Sequence, residues 1–408
     1  MFPSGNTPFF SSCRFCISDL PFIFTIHYLT MKILQISSAK NFGGGERHLV
    51  DLCAGLYCGN RAESGGGEIV EIFAALRTEN NWREKISFLP KDNVIDLPLK
   101  NSFDVSSARK LAEFVKDKNI EIIHAHLARD YPIAALAARK ARVKLVLTRH
   151  LLFPLNFLHR FVLPKNSTVI AVAEGVRHRL LQQKIIAPEQ IKLVYNGVNT
   201  RHFADAKNEV GKENLRRQLN LKPDCLLVGI VGEIAAHKGQ TDFVRAASSV
   251  VKQFPEAEFL IVGQDNSANK KQQKSLESLI EELGLQNKIH LLGWTDDAAP
   301  IFAALDVFVS ASHTEPFGLV IVEAMAAGCA VVATATDGAK EIIKDGDTGK
   351  LVPIANPTEL SQMIIEILSD ENLRQTLGEK AQLSVKEKFS IERMVAETKN
   401  IYREILSQ

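Results

Sequence analysis

The stretch Glu315-Pro-Phe-Gly-Leu-Val-Ile-Val-Glu323-Ala-Met-Ala-Ala-Gly-Cys-Ala-Val-Val332 decides the fold, because a loop, a helix and a strand follow one another within it. The runs 305–312 and 330–333 are short and apolar, as is typical of buried parallel strands. Glu315 therefore falls in a strand-to-helix loop, and Glu323 falls about two turns up the helix. We predict a strand–helix–strand unit that carries a carboxylate in its loop and another on its helix.

Glu323 lies on an apolar helix face. The residues three and four positions away from it are Leu319, Val320, Ala326 and Ala327. A carboxylate there is costly unless it is hydrogen-bonded. Gly318 at the helix start leaves room for a ligand, and first-turn N–H groups favour an anion. A sugar nucleotide, with hydroxyls and phosphate, would meet both demands. A solvent-facing Glu323 with a turn-forming Glu315 is the alternative.

The strings Glu-x-Phe-Gly-Leu and Glu-Ala-Met-Ala-x-Gly within this stretch resemble the E-x7-E motif of the retaining glycosyltransferases of family 4, which have the GT-B fold. The resemblance covers nearly everything from Met31 onward and is strongest over 226–353. It implies an α/β protein of two Rossmann-like, doubly wound parallel-sheet domains that face a cleft. It also implies a hexosyltransferase that moves a sugar from a nucleoside-diphosphate sugar to a glycan or lipid-linked acceptor, with retention, in cell-surface polysaccharide or glycolipid synthesis.

The order of segments agrees with that architecture. Short β-rich runs alternate with helical ones from Met31 to about residue 200, and a second such series begins at Leu226. Strand–helix alternation implies parallel sheets with right-handed crossovers. We expect an unstructured extension (1–30, with translation starting at Met31), an acceptor-side domain (31–202), a nucleotide-sugar domain (203–388) and a C-terminal helix (389–408). The resemblance implies that this helix packs back on the first domain.

Composition restricts the class of protein. Hydrophobic residues make up 46% and charged residues 24% of 408, as in soluble globular proteins. Residues 31–205 carry 26 Lys/Arg against 17 Asp/Glu, whereas 206–408 carry 22 against 29, so the first half suits an anionic partner. Six cysteines without a framework spacing indicate free thiols, including those of Cys13-Arg-Phe-Cys16. No apolar run is long enough to span a membrane. We expect a cytoplasmic protein that is peripheral at the inner face of the membrane.

Two loops follow first strands of the two series. Asn41-Phe-Gly-Gly-Gly-Glu46 contains Gly44 and Gly45, which let backbone N–H groups approach a phosphate. A glycine turn without a ligand is the alternative. In Gly232-Glu233-Ile-Ala-Ala-His-Lys238-Gly239, Lys238 matches the family pattern Gly-Arg-x4-Lys-Gly, but Glu233 replaces the arginine. A carboxylate beside a diphosphate is repelled. Glu233 therefore faces something else, such as a sugar hydroxyl, or the donor is held differently.

Two histidines end neighbouring predicted strands. His150 closes Lys144-Leu-Val-Leu-Thr-Arg-His, and His126 closes Ile123-His-Ala-His. Open α/β folds place ligand-contacting residues at the carboxyl ends of strands. The family has a histidine at the point of His150, close to the transferred sugar. We expect His150 to position the sugar and His126 to line the acceptor side; a structural role is the alternative for each.

The resemblance also implies further roles. Catalysis would involve His150, Lys238 and Glu315, with Lys238 neutralising the departing diphosphate. Glu323 would bind the ribose, and the backbone N–H groups of Gly318 and Leu319 would bind phosphate. The predicted donor-binding residues are Gly44, Gly45, Glu233, Lys238, Trp294, Phe317, Gly318, Leu319 and Glu323. No metal and no other cofactor is expected, and Asp345-Gly-Asp347 is interpreted as a turn.

The segment 139–165 is basic, aromatic and aliphatic, which suits a peripheral membrane contact, although a core helix behind a loop explains it equally. Nothing resembles a module that reads nucleic acid. Two other functions stay open. One is a different GT-B enzyme, namely a sugar-nucleotide epimerase or a phosphorylase. The other is a scaffold that binds a nucleotide sugar without transfer, for which Glu233 is the main support.

Overall fold

The computed structural model describes residues 30–62, 69–157, 159–206, 209–222 and 225–408. Within them, seven parallel strands form one sheet and six form another. The first sheet contains β1 (Thr30–Ser37), β2 (Ile69–Arg77), β3 (Val94–Leu97), β4 (Ile122–Ala125), β5 (Lys144–Arg149), β6 (Thr168–Ala171) and β7 (Ile191–Leu193). The second contains β8 (Leu227–Val231), β9 (Glu258–Val262), β10 (Ile289–Leu292), β11 (Val307–Ser310), β12 (Ala330–Thr334) and β13 (Lys350–Val352).

Helices connect the strands and cover both sheets. Those of the first half are α1 (Gly44–Ala62), α2 (Val105–Asp117), α3 (Tyr131–Ala141), α4 (His159–Val162), α5 (Glu174–Gln183) and α6 (Thr200–Asp205). Those of the second half are α7 (Glu209–Gln218), α8 (Gln240–Val250), α9 (Lys271–Glu282), α10 (Ala299–Ala304), α11 (Leu319–Ala326), α12 (Asp337–Ile342), α13 (Pro357–Ser369), α14 (Glu371–Lys388) and α15 (Ile391–Leu406). Because helices lie on both faces, strands such as β12 are buried along their whole length.

The strand order places the candidate site. It is β3-β2-β1-β4-β5-β6-β7 in the first sheet and β10-β9-β8-β11-β12-β13 in the second. Each sheet reverses its direction of winding beside its first strand, between β1 and β4 and between β8 and β11. A reversal of this kind opens a crevice at the carboxyl ends of the strands, where open α/β sheets bind ligands. The loops after these four strands therefore carry the residues of interest.

Apolar packing joins the two halves. One core cluster contains residues of the first sheet together with residues of α11 and Phe389. At the junction the ring centroid of Tyr195 lies 6.1 Å from that of Phe317 and 5.3 Å from that of Phe389. Aromatic pairs at such distances contribute beyond their buried area. The two sheets are thus held together by a packed contact as well as by the chain.

The chain passes between the halves at two points that bond to each other. The Val198 N–H donates to the Phe389 carbonyl at 2.9 Å, and the Ile391 N–H donates to the Val198 carbonyl at 3.0 Å. After this crossing, α15 packs on α1 and buries Met394, Ile401 and Tyr402 in a first-sheet core. The C-terminal helix therefore belongs physically to the first sheet, although it follows the second in sequence.

The fold class expected from the sequence is confirmed, and the strands differ from the prediction at two places. The short strands β3 and β7 were not predicted. Residues 1–29 of the expected extension, including Cys13 and Cys16, lie outside the described residues, and Thr30 already belongs to β1. The four cysteines that the structure describes are free thiols.

Candidate active site

The glycine-rich loop after β1 faces both sheets. A Cβ added to Gly44 would lie 3.7 Å from Leu319 Cδ1, and one added to Gly45 would lie 3.7 Å from His150 Cδ2. The loop therefore closely approaches the start of α11 in the second half and the end of β5 in the first. Three regions that the sequence predicted separately come together here.

Gly318 starts α11 in a conformation that other residues rarely adopt. Its φ is 109°, and a Cβ there would lie 3.1 Å from Ile321 Cδ1 and 3.4 Å from Glu315 Cγ. Glycine is needed on both counts. The first turn of α11 consequently presents its N–H groups to the cleft without a side chain at the cap, which favours a bound anion.

Glu323 is buried on α11 and faces the first half of the chain. Its Oε1 lies 3.5 Å from Nη1 of Arg47 on α1, so this ion pair crosses the cleft. Burial raises the pKa of Glu323 to about 7, and the nearby Arg47 guanidinium opposes this shift only in part. The helix face around Glu323 is apolar, as the sequence predicted. A carboxylate buried on such a face requires a polar partner. Here Arg47 supplies that partner.

Lys238 and Glu315 form a direct pair between the loops after β8 and β11. Lys238 Nζ donates to Glu315 Oε2 at 2.7 Å, and both side chains are largely shielded from solvent. The Glu315 carbonyl also accepts from the Gly338 N–H at 3.1 Å, which fixes the loop before α11. A fixed positive charge thus lies next to a fixed negative one beside a helix N-terminus. This arrangement can neutralise a diphosphate and orient a hydroxyl at the same time.

Glu233 does not pair with Lys238 in the part of the chain that the structure describes. Its Oε1 instead accepts from Asn266 Nδ2 at 3.1 Å, and its carbonyl accepts from Gln240 Nε2 at 2.8 Å. Asn266 belongs to the loop after β9. The Glu233 side chain, which replaces the arginine of the family pattern, therefore points towards a neighbouring loop. Lys238 is oriented by Glu315 instead.

His150 and His126 lie within a larger histidine cluster. The ring centroids of His48 and His150 are 4.8 Å apart, and those of His126 and His150 are 6.2 Å apart. A fourth ring, that of His124, lies 4.3 Å from His126. Burial lowers the pKa of His48 to about 4 and the pKa values of the other three well below the usual range. All four rings are therefore neutral at pH 7.

Two predicted donor-binding side chains lie in different surroundings from each other. The Phe317 ring is buried against Tyr195 and Phe389, at the junction of the two halves. Trp294 follows β10 and is 51% exposed at the carboxyl edge of the second sheet.

The turn Asp345–Asp347 pairs its second carboxylate with Lys344 and Lys380. Those ion pairs agree with a structural role for this turn.

The segment 139–165 exposes large apolar side chains. Phe153 is 75% exposed, Phe157 63% and Phe161 66%, and the rings of the last two are 5.3 Å apart. They lie on α4 and the loop before it, which pack beside α3. Arg149 is an exception within the basic segment, because it is buried and donates to the Phe153 carbonyl. Among the described residues, no helix combines the length and apolarity needed to cross a bilayer.

Two site residues were missed from the sequence. Arg47 and His48 directly follow Glu46 at the start of α1, and both face the cleft or the histidine cluster. Their position in the sequence could have indicated them. Residues that directly follow a glycine-rich loop lie close to the ligand or residues that the loop contacts. Their partners, Glu323 and His150, are distant in sequence and could not be assigned.

Comparison with known proteins agrees with the two-sheet architecture. The family model described as Glycosyltransferase Family 4 matches residues 42–202, and the one described as glycosyl transferases group 1 matches residues 211–384. Between them they match most of the chain, and each lies on one of the two sheets. The N-acetyl-alpha-D-glucosaminyl L-malate synthase of Bacillus anthracis is 29% identical over 318 residues, which are 74% of this chain and 80% of that protein.

Two further similarities are to a mannosyltransferase and to a solved structure. The phosphatidyl-myo-inositol mannosyltransferase of Mycolicibacterium smegmatis is 29% identical over 282 residues, or 67% of this chain and 68% of that protein. The crystal structure of Anabaena Alr3699/HepE in complex with UDP and glucose has the same fold, with a TM-score of 0.78, 24% identity, and coverage of 91% of this chain and 99% of that one. The chain is a member of the family 4 type of glycosyltransferases and has the GT-B fold.

Proposed function

We propose that this glycosyltransferase transfers a hexosyl group from a nucleoside-diphosphate sugar to a glycan or lipid-linked acceptor with retention of configuration and without a bound metal. The observation that carries the proposal is the buried Glu323 on α11, opposite the glycine-rich loop. A carboxylate there, on the helix whose N-terminus lies beside Gly318, suits a ligand that combines ribose hydroxyls with phosphate.

Different residues of the site contact different parts of the donor. The N–H groups of Gly318 and Leu319 and the Lys238 ammonium bind the diphosphate and stabilise it as it leaves. Glu315 holds Lys238 in place and presents its other oxygen to a sugar hydroxyl. Glu323 accepts from the ribose hydroxyls, and His150, which is neutral, positions the sugar. The glycine-rich loop at Gly44 and Gly45 closes over the donor from the first half.

Retention is proposed from the family resemblance, and this set of charges is compatible with it. An oxocarbenium-like transition state needs negative charge near the sugar and positive charge on the leaving group. Glu315 supplies the first and Lys238 the second, within 2.7 Å of each other. Because Lys238 and the helix N-terminus act on the diphosphate, the transfer needs no metal at that point.

The acceptor is proposed to be a glycan or a lipid-linked molecule, in polysaccharide or glycolipid synthesis. Support comes from the related phosphatidyl-myo-inositol mannosyltransferase and from the exposed rings of Phe153, Phe157 and Phe161. Apolar side chains beside the exposed cations Arg139, Lys140 and Arg142 suit the surface of an anionic membrane. We propose a peripheral contact there, on the cytoplasmic face, that brings the first sheet close to a lipid-linked acceptor.

Transfer is tested by incubating the full chain with a panel of UDP- and GDP-sugars and membrane or glycan acceptors, with EDTA present. We expect release of nucleoside diphosphate with one donor, a rate that EDTA does not lower, and a product whose NMR spectrum shows the anomeric configuration of the donor. Glu315→Gln and Lys238→Ala should abolish release. An inverted product would contradict retention, and a rate that falls in EDTA would contradict metal independence.

The same assay separates the other functions. A phosphorylase would need a lysine-bound pyridoxal phosphate, which absorbance would reveal, and an epimerase would alter the donor without an acceptor. A binding-only scaffold would bind UDP but release nothing from any donor. Glu233 gives that last alternative less support than its sequence suggested, because Lys238 is paired with Glu315 and not with Glu233.

A further inference from the structure

Three histidines of the first sheet converge without hydrogen-bonding to one another. One ring nitrogen each from His48, His126 and His150 lies within 4.8 Å of the other two. His48 comes from the first turn of α1, His126 follows β4 and His150 follows β5. The three elements meet at the switch point between β1 and β4, so the fold itself brings the rings together.

Each of these rings has an unpaired nitrogen. His48 Nδ1, His126 Nδ1 and His150 Nε2 are buried, and none has a well-aligned hydrogen-bond partner among the residues that the structure describes. The Asn196 side chain lies near His48, but its Oδ1 is likewise unpaired. Buried polar atoms are normally paired, and an exception needs an explanation. The neighbouring His124 shows the contrast, because its two nitrogens bond Tyr402 Oη and Thr148 Oγ1, both at 2.7 Å.

The hydrogen-bond network fixes which nitrogen of His126 carries the proton. Gln35 Nε2 donates to Tyr402 Oη at 3.2 Å, so the other end of the Gln35 amide is an acceptor. That oxygen, Oε1, lies 2.7 Å from His126 Nε2, which must therefore be protonated. The unpaired Nδ1 of His126 then carries a lone pair. Gln35 and Tyr402 thus hold His126 in the tautomer that a metal ligand needs.

We propose that His48, His126 and His150 form a binding site for one divalent transition-metal ion of the Zn²⁺ class. Three neutral imidazoles with an open fourth position are a ligand set that zinc uses in proteins. Imidazole nitrogens favour Zn²⁺, Ni²⁺ or Cu²⁺ over Mg²⁺ or Ca²⁺, which prefer oxygen.

The spacing suits an ion after a small closure. Zn–N bonds of about 2.0–2.1 Å place tetrahedral ligands roughly 3.4 Å apart. Nitrogens within 4.8 Å therefore need to approach by about 1.4 Å at most, which rotation of the rings can supply. A hydroxyl group of a bound substrate could also pair with these nitrogens. In that case the protein without substrate would retain no metal ion. The two explanations therefore differ in what the protein alone retains.

The site has a consequence that rests on the proposed function. His150 is there assigned to position the donor sugar, and an ion bound to its Nε2 would occupy the same nitrogen. Metal and donor sugar would then exclude each other at this point. Binding of the ion itself does not depend on that assignment, so the experiment uses the metal alone.

The test is equilibrium dialysis of the full, tag-free chain against Zn²⁺, without nucleotide sugar, followed by measurement of the bound metal. We expect one ion per chain with micromolar affinity or better. His48→Ala, His126→Gln and His150→Ala should each weaken binding at least about a hundredfold, and Gln35→Leu should weaken it roughly ten- to a hundredfold through the tautomer of His126. His178→Ala, on the exposed surface of α5, should change nothing.

Circular dichroism of each variant without metal checks that the fold is kept; His150, the least buried of the three, gives a variant that tolerates substitution best. The proposal would be overturned if the wild-type chain, at micromolar concentration, retained no Zn²⁺ from a roughly hundredfold molar excess of the ion. Wild-type affinity in a folded His150→Ala variant would also overturn it, because the ion would then be held elsewhere.

Discussion

Glu323 shows what a single buried carboxylate does to this fold. Its pKa rises from the usual 4.5 to about 7, because burial removes water and Arg47 restores only part of the lost stabilisation. Between these two pH values the folded chain keeps a proton that the unfolded chain has released. The free energy of unfolding therefore falls as pH rises from about 4.5 to 7, and the full penalty is present above pH 7.

We expect Glu323→Gln to raise the free energy of unfolding at pH 8 by about 1–3 kcal/mol, because the amide carries no charge to desolvate. The gain should disappear near pH 4.5, where the wild-type side chain is already neutral. Urea unfolding at both pH values measures it. Glu379→Gln, an exposed site on α14, is the matched control and should have no such pH dependence. A loss of stability at pH 8 would mean that the pair with Arg47 outweighs the burial of the carboxylate.

The same residue should be needed for nucleotide binding. Glu323→Ala removes the proposed acceptor for the ribose hydroxyls while α11 stays packed among apolar neighbours. A hydrogen bond to a charged group is worth about 1.5–3 kcal/mol, so affinity for UDP should fall roughly ten- to a hundredfold. Calorimetric titration of UDP into both proteins gives the result. Unchanged affinity in the folded variant would remove Glu323 from the donor site.

Glu233 offers a prediction of opposite sign. Its carboxylate contacts Asn266 and leaves Lys238 to Glu315, so it contributes only negative charge near the loop that should receive the diphosphate. Glu233→Arg should therefore tighten binding of UDP, by roughly tenfold for a partly desolvated charge pair. The measurement is the same titration, at low salt.

Two variants calibrate that result. Glu233→Gln separates loss of the negative charge from gain of the positive one and should tighten binding by a smaller factor. Lys238→Ala should weaken it. If Glu233→Arg binds UDP more weakly than the wild-type chain, Glu233 itself contacts the donor, most simply through a sugar or ribose hydroxyl.

At the scale of elements, sequence periodicity predicted the long, strongly apolar strands and the helices between them, because buried parallel strands are nearly all apolar. It failed for β3 and β7, the edge strands of the first sheet, because the charged Asp96 and Lys192 interrupt their apolar pattern. Gly318 and its helix were predictable, because a glycine between a strand and an apolar helix commonly marks the point where the helix begins. The return of α15 to the first sheet came from the family resemblance, because its amphipathic pattern does not say which surface it covers.

The contact between α1 and α15 can be tested with two glycines of one helix. A Cβ at Gly55 would overlap the Val395 side chain and lie 3.3 Å from Ile391 Cγ2, whereas a Cβ at Gly59 would meet nothing within 4 Å. Gly55→Ala should destabilise the chain by about 1–2 kcal/mol through overpacking. Gly59→Ala should stabilise it by roughly 0.5–1 kcal/mol through helix propensity alone.

Thermal and urea unfolding measure both changes, and the difference in sign is the informative result. Equal stabilisation by the two substitutions would show that α15 does not pack closely on α1 in solution. Equal destabilisation would show that Gly59, too, lies against another part of the chain.

At the scale of the whole molecule, the site depends on how the two sheets face each other. The pair between Arg47 and Glu323 and the approach of Gly44 to Leu319 both span the cleft. Sequence reasoning predicted that Glu323, Gly44 and Leu319 bind a ligand because each has a local signature. It could not identify Arg47 or His48, because their importance comes from partners that only the assembled domains bring near.

The charge asymmetry between the halves leads to a prediction about membranes. The first half is basic, and it carries the exposed Phe153, Phe157 and Phe161 close to α3 and its cations. Each cation near an anionic surface contributes about 1 kcal/mol. Replacing Arg139, Lys140 and Arg142 by Gln should therefore lower partitioning onto phosphatidylserine-containing vesicles by roughly a hundredfold.

Co-sedimentation at several salt concentrations measures this partitioning. The matched control replaces Lys270, Lys271 and Lys274 of the second half, which are exposed and carry the same total charge. That control changes net charge equally but should leave partitioning nearly as in the wild-type chain. Equal losses in both variants would mean that the membrane responds to the net charge of the protein, and the apolar rings of α4 would then have no role in directing it. Selective loss in the first-half variant, deepened by Phe157→Ser and Phe161→Ser, would locate the contact on the sheet that is proposed to face the acceptor.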